Sequence, residues 1–318
     1  MFNIRHSTEN NFDKIILEDD NGTSAVIIPG CGAILHAFII KRGNTSLNVI
    51  EGYESKDDFE KNLTSKGFRG CKLSPFVCRI TKGEYVYNGK LYKIKKYYDR
   101  DNALHGLLYD QQFTLLDEEQ DEDHASVSMR HEYRGSDPGY PFHYDCTVTY
   151  SLEKENSLVV TTEIFNRTKE PIPVQDGWHP YFTLGKKLDE LQLSFLSNEV
   201  VEFNDNLIPT GELIPYKEFH QLKILGNKFF DNCFVVDFHM VSGSSPACIL
   251  RDPVENIQIE ICPDKSYPYL QFYTPPSRNS IAIENISGAP DAFNNGMGYN
   301  VLSPGESVNF KTCYKVRT

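Results

Sequence analysis

Alternating residues on either side of short polar turns constrain this chain more than any other feature. Thr147 to Leu152 reads T-V-T-Y-S-L, and Leu158 to Ile164 follows the polar stretch Glu153 to Asn156, which is the pattern of a β-hairpin. Tyr85-Val86-Tyr87 and Leu91-Tyr92 flank Asn88-Gly89, two residues that tolerate the positive φ of a tight hairpin turn. The same period predicts strands over Ser24 to Ile28, Ile34 to Ile40, Leu191 to Leu196, Ile257 to Ile261, Tyr269 to Tyr273, Ile281 to Ile283 and Val308 to Val316. Helix is expected only over Ser55 to Leu63, where Ser55 and Asp58 are spaced like a capping box. Seventeen prolines and 21 glycines interrupt these runs at short intervals, as a sandwich or barrel requires. The expectation is an all-β fold, a large antiparallel β-sandwich with little helix. No linker, compositional break or fixed repeat divides residues 1–318, so one domain is expected.

Charge narrows the partners. A net charge of -12 excludes a basic footprint for nucleic acid and disfavours anionic membrane surfaces. No apolar run reaches the length of a membrane span, and Met1 to His6 lacks the basic-then-apolar pattern of a signal peptide. The eight cysteines are scattered without a CxxC pair and read as small buried hydrophobes rather than disulfides. A cytoplasmic protein, monomer or homodimer, acting on a small molecule is expected. The sequon Asn166-Arg167-Thr168 is then incidental. The acidic run Asp117 to Asp123 lacks the glycine and ligand spacing of a calcium loop and reads as a solvated loop.

Several chemistries are absent as motifs. There is no GxSxG elbow and no HExxH helix, Gly30-Cys31-Gly32 lacks the third glycine of a dinucleotide loop, and Gly83 to Lys90 misses the phosphate-loop spacing. None of the nine histidines forms a close pair at metal-ligand spacing. What stands out is Gln175-Asp176-Gly177-Trp178-His179-Pro180-Tyr181-Phe182, which sets an imidazole on a stiff, extended backbone before a proline and among aromatics. Histidine titrates near neutrality, and aromatic faces suit the apolar faces of sugars. Four further residues sit in apolar or turn-rich settings. His105 follows Asn102-Ala103-Leu104, Glu284 ends the run Ile281-Ala282-Ile283, Asp231 follows Phe229-Phe230, and Arg79 lies between Cys78 and Ile80. Each also has an ordinary structural role open to it, such as an Asx turn for Asp231 or a strand-end cap for Glu284.

Together, the segments N-x-L-H-G, G-x-H-P-Y-F-x-L-G and E-N-x-x-x-x-P-D-A-F-N, in this order, resemble the aldose 1-epimerase (galactose mutarotase) family. The resemblance runs from about Gly32 to the C-terminus. It implies a galactose mutarotase-like supersandwich with a sugar cleft on one sheet, and no metal or cofactor. It places His179 as general acid and Glu284 as general base, with Arg79, His105 and Asp231 as sugar-binding residues. Interconverting anomers needs a proton removed from the C1 hydroxyl and one given to the ring oxygen, which a carboxylate and an imidazolium supply. A neighbouring Asp231 or Glu284 is expected to keep His179 protonated. Galactose-specific members often carry Asn-Arg where this chain has Cys78-Arg79, and Asn-His-Ser where it has Trp178-His179-Pro180, so the sugar is left open. Trp178 could stack on a sugar or fill the core. Arg100, Arg134 and Arg167 raise the alternative of a hexose-6-phosphate 1-epimerase. A non-catalytic carbohydrate-binding protein of the same fold is a further alternative, although binding alone does not need an acid and a base. A glycoside hydrolase would need a second catalytic carboxylate.

Overall fold

A computed structural model describes residues 1–241 and 245–318. Antiparallel strands dominate it. One sheet has nine strands, ordered Thr114–Gln120, His124–Arg134, His143–Glu153, Ser157–Asn166, Ser307–Arg317, Ile257–Pro263, Cys248–Asp252, Gln192–Phe195 and Lys223–Ile224. A second runs Pro209–Pro215, Glu199–Phe203, Asp231–Val235, Tyr269–Tyr273, Ile281–Ile286, Gly177–His179 and Cys71–Leu73, with Tyr181–Phe182 also paired to Ile281–Ile286. Residues 2–48 add a five-stranded antiparallel sheet in sequence order. Both hairpins read from the sequence are present. Asn88 and Gly89 take φ of 48° and 73° between Tyr87 and Lys90, and Tyr144 to Glu153 pairs with the whole of Ser157–Asn166.

The two large sheets face each other across a mixed core. Trp178 meets Tyr150 at 5.8 Å and Phe182 meets Tyr314 at 5.2 Å, each pair bridging the sheets. A polar layer threads the same space. Lys72 is fully buried, and its Nζ donates to Asp176 Oδ2 at 2.6 Å and Thr162 Oγ1 at 3.1 Å while lying 4.3 Å from the Trp178 ring centroid. Tyr267 donates its hydroxyl to the same Asp176 oxygen at 2.6 Å. Asn285 donates to the Tyr314 hydroxyl at 3.2 Å and accepts from Thr312 Oγ1 at 3.1 Å. These bonds offset the cost of burying the polar groups and fix one relative placement of the sheets.

Helix is as sparse as expected. Lys56–Asn62 starts at Ser55, whose side chain accepts from the Asp58 backbone N–H, and the Asp58 carboxylate in turn accepts from the Glu54 N–H at 2.9 Å. The acidic run departs from expectation. Most of it lies in the strand Thr114–Gln120 rather than in a loop. That strand is the edge of the nine-stranded sheet and exposed along its whole length, so charge costs nothing there and discourages edge-to-edge pairing. All eight cysteines are free thiols, six of them buried. Among the described residues no helix is long and apolar enough to cross a membrane.

The buried Lys72–Asp176 pair yields a stability prediction. Lys72→Met leaves Asp176 buried without its cation and is expected to cost about 3–5 kcal/mol in denaturant unfolding. Adding Asp176→Leu should recover part of that loss.

Candidate functional site

His179 and Glu284 meet because of strand register. Trp178 is paired with Asn285 and Tyr181 with Ala282, which sets His179 opposite Glu284 on the neighbouring strand. Alternation then sorts the side chains. Trp178, Asn285 and Lys72 point into the core, whereas His179 and Glu284 point to the other face, where a cleft of about 730 Å³ opens. Trp178 is 3% exposed and does not line that cleft, so its role is packing rather than sugar stacking. Gly177 is required by the approach of the next strand, since a Cβ there would lie 2.8 Å from Ile286 Cγ2 and 3.0 Å from the Asn285 carbonyl oxygen.

All five residues singled out in the sequence line this cleft. His179 Nε2 lies 3.2 Å from Glu284 Oε1, and both side chains are almost fully buried. The His105 ring meets the His179 ring edge-on at 4.9 Å and Phe68 at 4.7 Å. His105 sits at φ 62° in a turn whose next residue, Gly106, has φ 76° and runs so close to Ser74 that a Cβ would be 2.4 Å from its carbonyl oxygen. A small antiparallel sheet carries Arg79 beside it, with Leu104 paired to Arg79. Asp291 anchors that segment. Its backbone N–H donates to the Arg79 carbonyl at 2.7 Å, and its carboxylate accepts from Thr81 N–H at 2.9 Å and Thr81 Oγ1 at 2.7 Å. The Arg79 guanidinium has no hydrogen bond or ion pair among the described residues, which leaves it available to a ligand. Arg134 and Arg167 are elsewhere, paired with Glu132 and Asp145 on the nine-stranded sheet, and only Arg100 of the three lines the cleft.

Gln271 and Tyr273 were not legible as site residues in the sequence, whereas Tyr181 belongs to the aromatic segment whose faces suit a sugar. Gln271 pairs in register with Glu284 and donates Nε2 to Asp231 Oδ1 at 3.1 Å. Tyr181 stacks on His179 with ring centroids 5.2 Å apart, and Tyr273 meets Tyr181 edge-on at 6.5 Å. Alternation within Tyr269–Tyr273 would have put Gln271 and Tyr273 on the face of Glu284, had the strand pairing been known. His105 Nδ1, His179 Nδ1, Gln271 Oε1 and Glu284 Oε2 are buried without a protein hydrogen-bond partner. Buried polar atoms are seldom left so, and their convergence marks a place that binds polar ligand groups.

The electrostatics revise the expected ionisation. Burial pushes the His179 imidazole down to about 3, and the nearby Arg79 charge acts in the same direction. Burial raises Glu284 well above the ordinary carboxylate range, helped by Asp231 and opposed by Arg79. Asp231 is itself raised by burial, and His105 is lowered by burial and by its neighbour His179. Desolvation thus outweighs the attraction that was expected to keep His179 protonated. Burial favours the neutral form of each side chain, imidazole and carboxylic acid. His105, His179 and Glu284 also offer three ligand atoms within 4.8 Å of one another, a set that could hold a metal ion although sequence spacing gave no histidine pair.

A model of the aldose 1-epimerase family matches residues 13–315. The chain belongs to the aldose 1-epimerase family. Among curated relatives, it is 27% identical to an aldose 1-epimerase of Streptococcus thermophilus, over 94% of this chain and 92% of that one. It is 23% identical to a maltose epimerase of Levilactobacillus brevis, over 91% and 84% of the two chains. Its fold is that of a galactose mutarotase-like protein from Clostridium acetobutylicum, with a TM-score of 0.88 at 18% identity, covering 100% of this chain and 99% of the other.

The shifted pair has a signed effect on stability. Folded Glu284 keeps a proton that the unfolded chain releases above about pH 4.3, so this contribution is lost as pH rises from there toward the raised pKa. His179 acts oppositely, since the unfolded chain gains a proton below about pH 6.5 and the folded state not until about 3, so stability is lost as pH falls between them. Glu284→Gln removes the first effect. Its melting temperature relative to wild type is expected to climb as pH rises above about 4.3 in thermal scans.

Proposed function

We propose that this chain is an aldose 1-epimerase that interconverts the α and β anomers of a free hexose by acid/base ring opening and closure. The contact of His179 Nε2 with Glu284 Oε1 at the base of the cleft carries the reading. His179 acts as general acid, Glu284 as general base, and Arg79, His105 and Asp231 hold sugar hydroxyls. Family membership and the relatives' names support the reaction class.

One shared proton suffices. With that proton on the imidazole, the Glu284 carboxylate takes the C1 hydroxyl proton while His179 gives its own to the ring oxygen. The C1–O5 bond breaks, C1 becomes an aldehyde, and the pair is left as neutral imidazole and carboxylic acid. This is the state that burial favours in the resting site. Rotation about C1–C2 presents the other aldehyde face, and closure reverses both transfers. The proton returns along the 3.2 Å contact between the two side chains. Arg79 favours the Glu284 carboxylate, the form that takes the C1 proton, while it disfavours the imidazolium.

Of the three arginines that raised the phosphate alternative, only Arg100 lines the cleft, and Arg134 and Arg167 pair elsewhere. The chain is further proposed to work as a single domain in the cytoplasm, consistent with its eight free thiols.

Polarimetry of freshly dissolved α-glucose, α-galactose and glucose 6-phosphate tests this directly. Acceleration with a free hexose is expected, whereas tight sugar binding without acceleration would make the chain a binding module. His179→Asn and Glu284→Gln should each lower kcat by about 10²–10⁴-fold while remaining folded. The double variant should fall little further, because the two side chains act as one unit.

A further inference from the structure

The turn from Gly67 to Gly70 touches the rings or the backbone of the site at every residue. Gly67, Phe68 and Gly70 take φ of 73°, 56° and 71°, so the chain curls tightly here. The curl presents the Gly67 carbonyl to Tyr181, whose hydroxyl donates to it at 3.0 Å. A Cβ at Gly67 would lie 2.3 Å from that hydroxyl, so turn and ring are closely fitted. Phe68 packs edge-on against the His105 ring at 4.7 Å. The Arg69 guanidinium lies over the Tyr181 ring, 5.8 Å from its centroid, within reach of a cation–π contact. The Gly70 N–H donates to the His179 carbonyl at 2.8 Å.

The turn is closed by a residue that does not line the cleft. Arg69 Nη2 pairs with Glu51 Oε1 at 2.8 Å, and the two side chains are only 16% and 26% exposed. The Glu51 backbone N–H donates to the Tyr181 carbonyl at 2.9 Å. Its carboxylate also accepts from Ser280 Oγ, at the foot of the strand Ile281–Ile286 that carries Glu284. Pro180 gives this tie its importance. It has no N–H for the ladder, and strand pairing is interrupted between Trp178 and Tyr181. At that break the His179 carbonyl is held by Gly70 and the Tyr181 carbonyl by Glu51, and the ion pair joins the two holders. Loosening it frees the Tyr181 ring, which stacks on the His179 ring at 5.2 Å with 11° between their planes.

We propose that Arg69 is a positioning residue for the His179–Glu284 pair: its ion pair with Glu51 closes the Gly67–Gly70 turn on Tyr181 and so aims the imidazole at Glu284. The proposal rests on the acid/base reading of that pair and adds what holds its geometry. Arg69 lines the cleft but acts on the chemistry through Tyr181.

The test uses Arg69→Met, Glu51→Ala and the double variant, each checked for folding by a thermal scan. Glu51→Ala carries the test should Arg69→Met not fold, and it removes no group from the cleft lining. Polarimetry of α-glucose gives kcat and KM. Proton NMR of the His179 ring, assigned by its loss in His179→Asn, reports the Tyr181 stack without turnover. Each single variant should lower kcat by about 10-fold, since small misplacements of reacting groups are costly. KM should stay within about 2-fold of wild type, because a positioning residue does not contribute uniform binding. The double variant should fall little below Arg69→Met, as expected of two residues in one contact. The His179 resonance should move as the stack loosens. A lower melting temperature with unchanged kcat and unchanged resonance would overturn the proposal and make the pair a structural tie. A raised KM at unchanged kcat would overturn it too. Should wild type turn over no sugar, the epimerase reading falls, and the resonance alone decides whether Arg69 orients His179: a shift in the variants supports it and no shift overturns it.

Discussion

The antiparallel register between Gly177–His179 and Ile281–Ile286 is the constraint on which the rest depends. A slip by one residue would exchange the two faces of the strand, sending Trp178 to the cleft and His179 into the core. Several features on the core side hold the register. Gly177 lets the backbones approach, Lys72 and Asp176 lock the strand to its other neighbour, and Asn285 is tied across the sandwich to Tyr314 and Thr312. The polar layer between the sheets therefore acts at a distance on the chemistry, through the placement of one strand and not through any contact with the cleft. Pro180, which has no N–H to give the ladder, sits where pairing is interrupted between Trp178 and Tyr181.

Burial gives this arrangement its electrostatic character. An exposed carboxylate and imidazole would titrate near 4.3 and 6.5 and form a charged pair between those values. In the cleft, desolvation reverses the order, with Glu284 raised and His179 lowered to about 3. The neutral pair stores one proton that can move between two atoms 3.2 Å apart. Anomer exchange consumes no net proton, so a pair that only relocates one is matched to the reaction. The same burial leaves polar atoms of His105, His179, Gln271 and Glu284 without protein partners, a cost to folding that sugar hydroxyls can offset.

Much of the fold was legible in the sequence, because half-buried strands carry their period openly. Tyr269–Tyr273 has the bounds expected of it, as does Ser24–Ile28, whose apolar run is buried on both faces. Strands with solvent on both faces were not legible. Thr114–Gln120 is exposed throughout and reads as an acidic loop, and Phe2–Glu9 alternates only weakly beneath its charges. The hairpin joining Phe2–Glu9 to Phe12–Asp19 turns on Asn10-Asn11, both at positive φ, a weaker signal than Asn-Gly. The five site residues were legible through a resemblance of motifs, and the fold brings all five to one cleft. Gln271 and Tyr273 were not, since their roles arise from strand pairing between distant segments. Ionisation was misjudged for a related reason, because sequence shows which groups can titrate but not how much solvent they lose.

The proposed anomer exchange depends on His179 and Glu284 acting as a pair whose neutral forms burial favours. The most direct measurement is the pH profile of kcat/KM for mutarotation of α-glucose, after subtraction of the spontaneous rate. Activity is expected to hold as pH falls through the ordinary histidine range, with the acid limb displaced toward about 3 and the alkaline limb set by Glu284, raised above the ordinary carboxylate range. A bell confined between limbs near 4.3 and 6.5, the values of an unperturbed carboxylate and imidazole, would contradict it.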